Sequence, residues 1–246
     1  VRVVAIIQAR MGSSRLPGKV LAELGGATML GQVVHRLREA RRVDDIVVAT
    51  STGADDDAVV REAGRLGAGV HRGPTADVLT RFLGAARSYR ADAIVRVTAD
   101  CPLLDAGVVD QVIGELVDAV DYASNTHERS YPRGLDVEAL HRDTLERIGR
   151  LGTSTAAREH VTAFVMEAPE LFRTAQLRAE HDDSDLRWTV DTADDLAMVR
   201  ALYAELGLAG ASRPYREVVA AVRARPALAA HNAHVIQKPW QDPHVA

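Results

Sequence analysis

The chain has 246 residues, of which 47% are apolar, and a net charge of −4 from 30 basic and 34 acidic side chains. This supplies one sizeable α/β core, while interspersed charge and only 4% aromatic residues exclude a polyanion footprint and a base-stacking platform. The single cysteine, Cys101, excludes an intramolecular disulfide and a Cys-based zinc site, and the absence of a long apolar run or signal-peptide pattern leads us to expect a cytoplasmic protein binding neither nucleic acid nor membrane.

Residues 3–7 are a short apolar run, Val-Val-Ala-Ile-Ile, that reads as a buried strand. A loop with Gly and Pro follows. Thr28 is placed to cap a helix through about residue 41, with Leu30, Val33, Val34 and Leu37 on one face. Residues 45–50 read as a strand, 55–66 as a helix stopped by Gly67, and 68–71 as a short strand. Residues 77–89 are helical, with Val78, Phe82 and Ala85 facing inward. Residues 93–98 form a fourth strand and 107–120 a helix. Continuously apolar strands alternating with helices imply a mostly parallel sheet covered on both faces.

After about residue 121 the rhythm changes. Short strands are expected at 122–125, 134–140, 172–177 and 186–190, and helices at 143–150, 155–168, 192–206 and 214–225. We expect one domain over 1–225, carrying an insertion at about 121–180 beside the sheet. A tail follows over 226–246, with Lys238, Pro239 and Trp240 near its end.

The loop after the first strand, Gln-Ala-Arg-Met-Gly-Ser-Ser-Arg-Leu-Pro-Gly-Lys at 8–19, would lie at the carboxyl edge of a parallel sheet, where such folds bind ligands. Gly12, Ser13 and Ser14 are small enough to let backbone N–H groups approach phosphate oxygens. Arg10, Arg15 and Lys19 bring three positive charges, and Pro17 with Gly18 sets the turn that aims Lys19. Residues 12–19 are not a Walker loop: there is one residue too many, and Val20 stands where a magnesium-binding hydroxyl is required. The dinucleotide fingerprint is also absent. A solvated surface loop is the alternative.

Asp100 follows one predicted strand and Asp191 another. If those strands are parallel neighbours, both carboxylates reach the edge that carries the loop, and hard oxygens there suit Mg²⁺ with a triphosphate. Separately, Asp100 could merely set the turn before Pro102, and Asp191 or Thr192 could merely cap a helix. Cys101 reads as a small buried residue rather than a nucleophile, and Trp188 as core. Glu159 and His160 lack HExxH spacing, so a zinc protease site is excluded.

Taken in order, several motifs carry a family resemblance. They are Ile-Ile-Gln-Ala-Arg-Met-Gly-Ser-Ser-Arg-Leu-Pro-Gly-Lys-Val-Leu at 6–21, Ala-Asp-Val-Leu at 76–79, and Arg-Val-Thr-Ala-Asp-Cys-Pro-Leu-Leu-Asp at 96–105. Tyr-Pro-Arg-Gly-Leu-Asp-Val-Glu at 131–138, Arg-Glu-His-Val-Thr at 158–162, Leu-Arg-Trp-Thr-Val-Asp-Thr-Ala-Asp-Asp-Leu at 186–196 and Asn-Ala-His-Val at 232–235 continue the series. The chain resembles the spore-coat polysaccharide branch of the cytidylyltransferases, relatives of the enzymes that make CMP-3-deoxy-octulosonate and CMP-sialic acids. The resemblance implies a Rossmann-like nucleotidyltransferase fold, CTP and Mg²⁺ as partners, and a homodimer formed through the insertion.

By motif match, Ala9, Arg10, Met11, Gly12, Ser13, Ser14, Arg15 and Lys19 would bind the nucleotide, joined by Asp77 and Thr98. Asp100 and Asp191 would hold magnesium, and Arg15, Lys19 and both aspartates would be catalytic. Tyr131, Arg133, Asp136, Glu138, Glu159 and His160 are the acceptor candidates, with an interface or a solvated helix face as their bland reading. The chain departs from the family where Gly73, Pro74, Thr75 and Ala76 replace a segment that commonly holds an acidic residue and Gly. The expected reaction is CMP transfer from CTP to a sugar acid, a sugar or polyol phosphate, or a phosphonate, with release of pyrophosphate. A glycosyltransferase using a ready-made nucleotide sugar and a non-catalytic nucleotide-binding regulator are the rivals.

Overall fold

A computed structural model describes residues 1–237 of the chain. The strands are β1 (Val3–Gln8), β2 (Glu23–Leu24), β3 (Ala27–Thr28), β4 (Asp45–Ser51), β5 (Gly69–Gly73), β6 (Ala93–Thr98), β7 (Tyr122–Ser124), β8 (Glu138–His141) and β9 (Thr174–Gln176). The longer helices are α1 (Met29–Leu37), α2 (Asp57–Arg65), α3 (Val78–Ser88), α4 (Ala106–Glu115) and α5 (Arg142–Leu151). Two short ones follow, α6 (Thr155–His160) and α7 (Ala163–Glu167), then α8 (Ala193–Leu206), α9 (Tyr215–Ala224) and the short α10 (Pro226–Ala230). Seven strands make one sheet in the order β5-β4-β1-β6-β8-β7-β9, with β8 antiparallel to both neighbours and every other pair parallel. β2 and β3 form a separate hairpin. No helix among the described residues is long and apolar enough to cross a membrane.

The mostly parallel α/β sheet expected from the sequence is the one observed. Strand β1 shows why its run is continuously apolar. Val3, Ala5 and Ile7 enter the core on one face, with α1, α4 and α8, while Val4 and Ile6 enter the core on the other, with α3 and α5. Successive strand residues point to opposite faces, so a strand covered on both needs no polar side. Helix α1 starts where Thr28 accepts the Gly31 N–H at 3.0 Å, and Leu30, Val33, Val34 and Leu37 are all buried. It ends before residue 41 because Glu39 and Ala40 bond three residues back, tightening the last turn.

Four expected elements come out differently. Residues 121–180 do not lie beside the sheet; they add β7, β8 and β9 to its edge. The helix expected over 155–168 is broken at Val161, whose φ of 57° and ψ of −62° make a tight turn closed by the Thr162 N–H on the His160 carbonyl. Such a turn is strained for a β-branched residue. Residues 186–190 are extended but form no ladder, touching Arg133 through a single bridge at Arg187. Only the last part of 134–140 joins the sheet, as β8. The first part crosses over the 186–190 segment, with Trp188 and Thr189 N–H groups donating to the Arg133 carbonyl at 2.6 and 3.1 Å.

Gly134 makes this crossing possible. Its φ is +109°, and a Cβ there would lie 2.6 Å from the Thr189 nitrogen and 2.7 Å from the Trp188 carbonyl carbon. Gly210, at φ +70°, has open space around the same position. Gly134→Ala should therefore cost about 2–4 kcal/mol, strain plus backbone overlap, against about 1 kcal/mol for Gly210→Ala. Urea unfolding of the two variants checks this; equal losses would mean the crossing tolerates a side chain.

Candidate active site

A cavity of about 540 Å³ opens at the carboxyl ends of β1 and β6 and is walled by the loop over 10–19, the 126–138 segment, α6, α7 and Asp191. The loop is tied down at both ends. Asp56 accepts the Met11 N–H at 2.7 Å, and the Met11 carbonyl accepts N–H groups from Ser13 and Gly18, each at 2.9 Å. The Gly12, Ser14 and Arg15 amides have no protein acceptor among the described residues, and all three residues line the cavity. Gly18, at φ 72°, turns the chain into a short 3₁₀ helix beginning at Lys19.

That turn delivers Lys19 to the centre of the site. Its ammonium donates to Asp100 Oδ2 at 2.8 Å, to Asp191 Oδ1 at 2.9 Å and to the Val190 carbonyl at 2.8 Å. Burial pushes the Lys19 amine down, but the two carboxylates outweigh it and hold its pKa above the ordinary value. Burial likewise pushes the Asp191 carboxyl up, and Lys19, Arg15 and Arg187 reverse this, holding it below the ordinary value. Arg15 Nη2 sits 3.1 Å from Asp191 Oδ2, and Arg187 Nη2 donates to that oxygen at 2.7 Å. The Thr98 hydroxyl donates to Asp100 Oδ1.

The two aspartates converge because the Val190 N–H donates to the Asp100 carbonyl at 2.8 Å, not because both end ladder strands. The cap of α8 is Thr192, in a reciprocal capping box with Asp195, which leaves the Asp191 side chain to the cavity. Among the described residues no group of three or more His, Cys, Asp and Glu could hold a metal unaided. Two carboxylates with hard oxygens fit Mg²⁺ in the mode that draws its remaining ligands from substrate phosphates and water.

Of the sequence candidates, the cavity gathers Arg10, Gly12, Ser13, Ser14, Arg15, Lys19, Thr98, Asp100 and Asp191 on one side. It gathers Arg133, Asp136, Glu138, Glu159 and His160 on the other. Four candidates fall elsewhere. Ala9 is buried, and Met11 packs against the core. Asp77 caps α3, accepting the Thr80 N–H at 2.8 Å. Tyr131 is buried with its ring 5.2 Å from that of Tyr215.

Several acceptor candidates are already engaged. Arg129 grips Asp136 with two nitrogens, at 2.6 and 2.9 Å. Glu138 is buried, ion-paired with Arg96, and accepts from the Tyr122 and Thr162 hydroxyls. Arg133 forms no ion pair among the described residues; burial first, then Arg129, lowers its pKa. Cys101 and Trp188 are buried as expected, and burial raises the thiol pKa well above its ordinary value.

Sequence reasoning missed Arg96, Arg129, Arg187, Asp56 and Asp195. Arg187 and Asp195 stand inside the quoted 186–196 motif at a spacing of eight residues, which no local rule links. Asp56 sits in an acidic run that reads as a helix start.

A family model described as cytidylyltransferase matches residues 4–198. The chain is 34% identical over 213 residues to the spore coat polysaccharide biosynthesis protein SpsF of Bacillus subtilis, covering 83% of this chain and 88% of that one. It is 33% identical over 242 residues to a 3-deoxy-manno-octulosonate cytidylyltransferase of Anaeromyxobacter dehalogenans, covering 82% and 98%. A solved cytidylyltransferase structure from Leptospira borgpetersenii superposes with a TM-score of 0.88 at 31% identity, covering 93% of this chain and 96% of that one.

The Asp191 carboxyl has its pKa below the ordinary 3.8, so its contribution to stability is present above that value and is lost as pH falls through the folded-state pKa. Between about pH 5 and pH 3, Asp191→Asn should therefore lose less unfolding free energy than the wild type does. Urea titrations across that range read the slope; parallel slopes would mean that Asp191 gains nothing from its three cations.

Proposed function

The chain belongs to the cytidylyltransferase family, and we propose that it transfers CMP from CTP to an anionic acceptor, releasing pyrophosphate. The observation carrying this reading is the Lys19 ammonium set between Asp100 and Asp191, beside a loop whose Gly12, Ser14 and Arg15 amides have no acceptor among the described residues. Cations and open amides are what a triphosphate needs, and a carboxylate pair is what its metal needs.

In the proposed reaction an acceptor oxygen attacks the α-phosphorus. The new O–P bond forms as the bond from that phosphorus to the β-phosphate oxygen breaks, and the electron pair leaves with pyrophosphate. Phosphoryl transfer asks the protein mainly for positioning and charge neutralisation. Arg10, Arg15 and Lys19 serve the triphosphate, with Arg15 and Lys19 neutralising charge on the leaving group. Asp100 and Asp191 are the residues that would hold Mg²⁺, which supplies charge neutralisation at the phosphates.

Arg133, half-buried and without an ion-pair partner among the described residues, faces the same cavity and serves the acceptor's anion. Glu159 and His160 stand on the same wall as hydrogen-bonding groups for it. Asp136 and Glu138 instead anchor the wall through Arg129 and Arg96. The 3-deoxy-manno-octulosonate enzyme is named for a sugar acid, which supports an anionic acceptor here, and SpsF is named for polysaccharide biosynthesis, which supports a sugar-derived one.

Pyrophosphate release, measured over a matrix of nucleoside triphosphates and anionic acceptors with Mg²⁺, tests the reading. CTP with a sugar acid, sugar phosphate or phosphonate should give product. Sugar transfer from a ready-made nucleotide sugar, or tight CTP binding with no turnover on any acceptor, would replace it with one of the rivals. Lys19→Ala should lower kcat by about 10²–10³-fold while the protein stays folded. Asp100→Asn should remove Mg²⁺-dependent turnover; wild-type rates from either variant would remove that residue from the mechanism.

A further inference from the structure

The carboxyl-terminal segment after α10 reaches back to the site. Asn232 is 2% exposed, although its neighbours His231, Ala233 and His234 are exposed. Its side-chain amide donates to the Arg187 carbonyl at 3.0 Å and to Asp195 Oδ1 at 2.8 Å. Five residues on, Gln237 lines the cavity, and its side-chain oxygen accepts from Arg187 Nη1 at 2.6 Å.

Arg187 is the hub. It is nine-tenths buried and donates through Nε and Nη2 to the fully buried Asp195, at 2.9 and 3.1 Å. The same Nη2 donates to Asp191. Asp195 is fixed in turn by the Asp191 and Thr192 N–H groups, each at 3.0 Å. The orientation of Asp191 thus depends on a guanidinium plane held on one edge by Asp195 and on the other by Gln237.

We propose that the segment over 231–237 is a positioning device for the reaction, with Asn232 and Gln237 clamping Arg187 so that Arg187 holds Asp191 in its working orientation. The proposal rests on the reading that Asp191 belongs to the catalytic machinery. Both clamping groups are neutral amides. Gln237 fixes the guanidinium through Nη1, Asn232 fixes the Arg187 backbone and Asp195, and neither adds a charge that would compete with Asp191 for the guanidinium. Groups that orient a ligand from behind commonly change metal affinity or activity by about 10–100-fold when removed. Both act on Asp191 through Arg187, so both are positioning residues.

Gln237→Met keeps the length of the exposed side chain and removes its acceptor, with little risk to folding. Asn232→Ala removes the buried amide. Each variant is to be assayed for kcat and KM with CTP, for Mn²⁺ affinity in the presence of CTP without acceptor, and for the side-chain Nε and Nη proton resonances of Arg187 by ¹⁵N NMR. Gln237→Met should lower kcat about tenfold and weaken Mn²⁺ binding about tenfold, with KM for CTP within about twofold. The Arg187 Nη protons should exchange faster, and Gln237→Glu, which restores an acceptor oxygen, should restore their slow exchange.

Wild-type kcat and Mn²⁺ affinity in Gln237→Met, or Arg187 resonances unchanged in Gln237→Met, would overturn the proposal. If the wild type releases no pyrophosphate from any nucleotide, the proposed activity fails. The clamp is then decided by the Arg187 resonances alone, and unchanged protection in Gln237→Met overturns it.

Discussion

The ammonium of Lys19 is the junction on which the site depends. Taking a cation out of water is costly unless each of its donors finds an acceptor, and Lys19 has three donors and three short contacts. Those contacts come from two different chain segments, the turn after β6 and the extended run ending at Asp191. With the loop after β1 that carries Lys19, three segments far apart in sequence meet at one atom. The arrangement is reinforced from behind, because Asp56 holds Met11 and Met11 holds Gly18. The loop that delivers the lysine is therefore braced from the turn after β4 rather than left as a free surface turn.

The far wall of the cavity is built by a different logic. Arg96 with Glu138, and Arg129 with Asp136, are ion pairs with buried or half-buried partners whose remaining oxygens are largely met by hydroxyl or amide donors. Breaking one such pair strands a buried charge, so these residues stiffen the wall. The Thr162 hydroxyl ties this network to the strained turn at Val161, and that turn presents Glu159 and His160 to the cavity. Backbone strain persists only where surrounding contacts over-determine it, and here Thr162 on Glu138 supplies the restraint.

Much of the sheet was readable because its signal is local. Apolar runs, Thr28 as a cap and Gly67 as a stop each act within a turn or two. The loop was readable for the same reason, since Gly12, Ser14, Arg15 and Lys19 are neighbours in sequence. What escaped was long-range. Residues 186–190 have the composition of a strand, but their hydrogen bonds go to Arg133 and Asp100 rather than into a ladder. Asp77 and Glu138 share residue types with catalytic carboxylates, yet one caps a helix and the other neutralises Arg96. Carboxylate identity is written in the sequence; its partner is decided by folding.

Charge placement then separates the two sides of the cavity. In the middle, Asp100 and Asp191 are balanced by Lys19, Arg15 and Arg187. Arg10 on the nucleotide side and Arg133 on the acceptor side form no ion pair among the described residues, although both are half-buried and line the same space. A partly desolvated guanidinium without a carboxylate is favourable only when an anion joins it. This charge layout supports the proposed pair of anionic occupants, one on each side of the acidic centre. A triphosphate alone would satisfy Arg10 and leave Arg133 unmatched. That asymmetry supports the proposed anionic acceptor over an uncharged sugar.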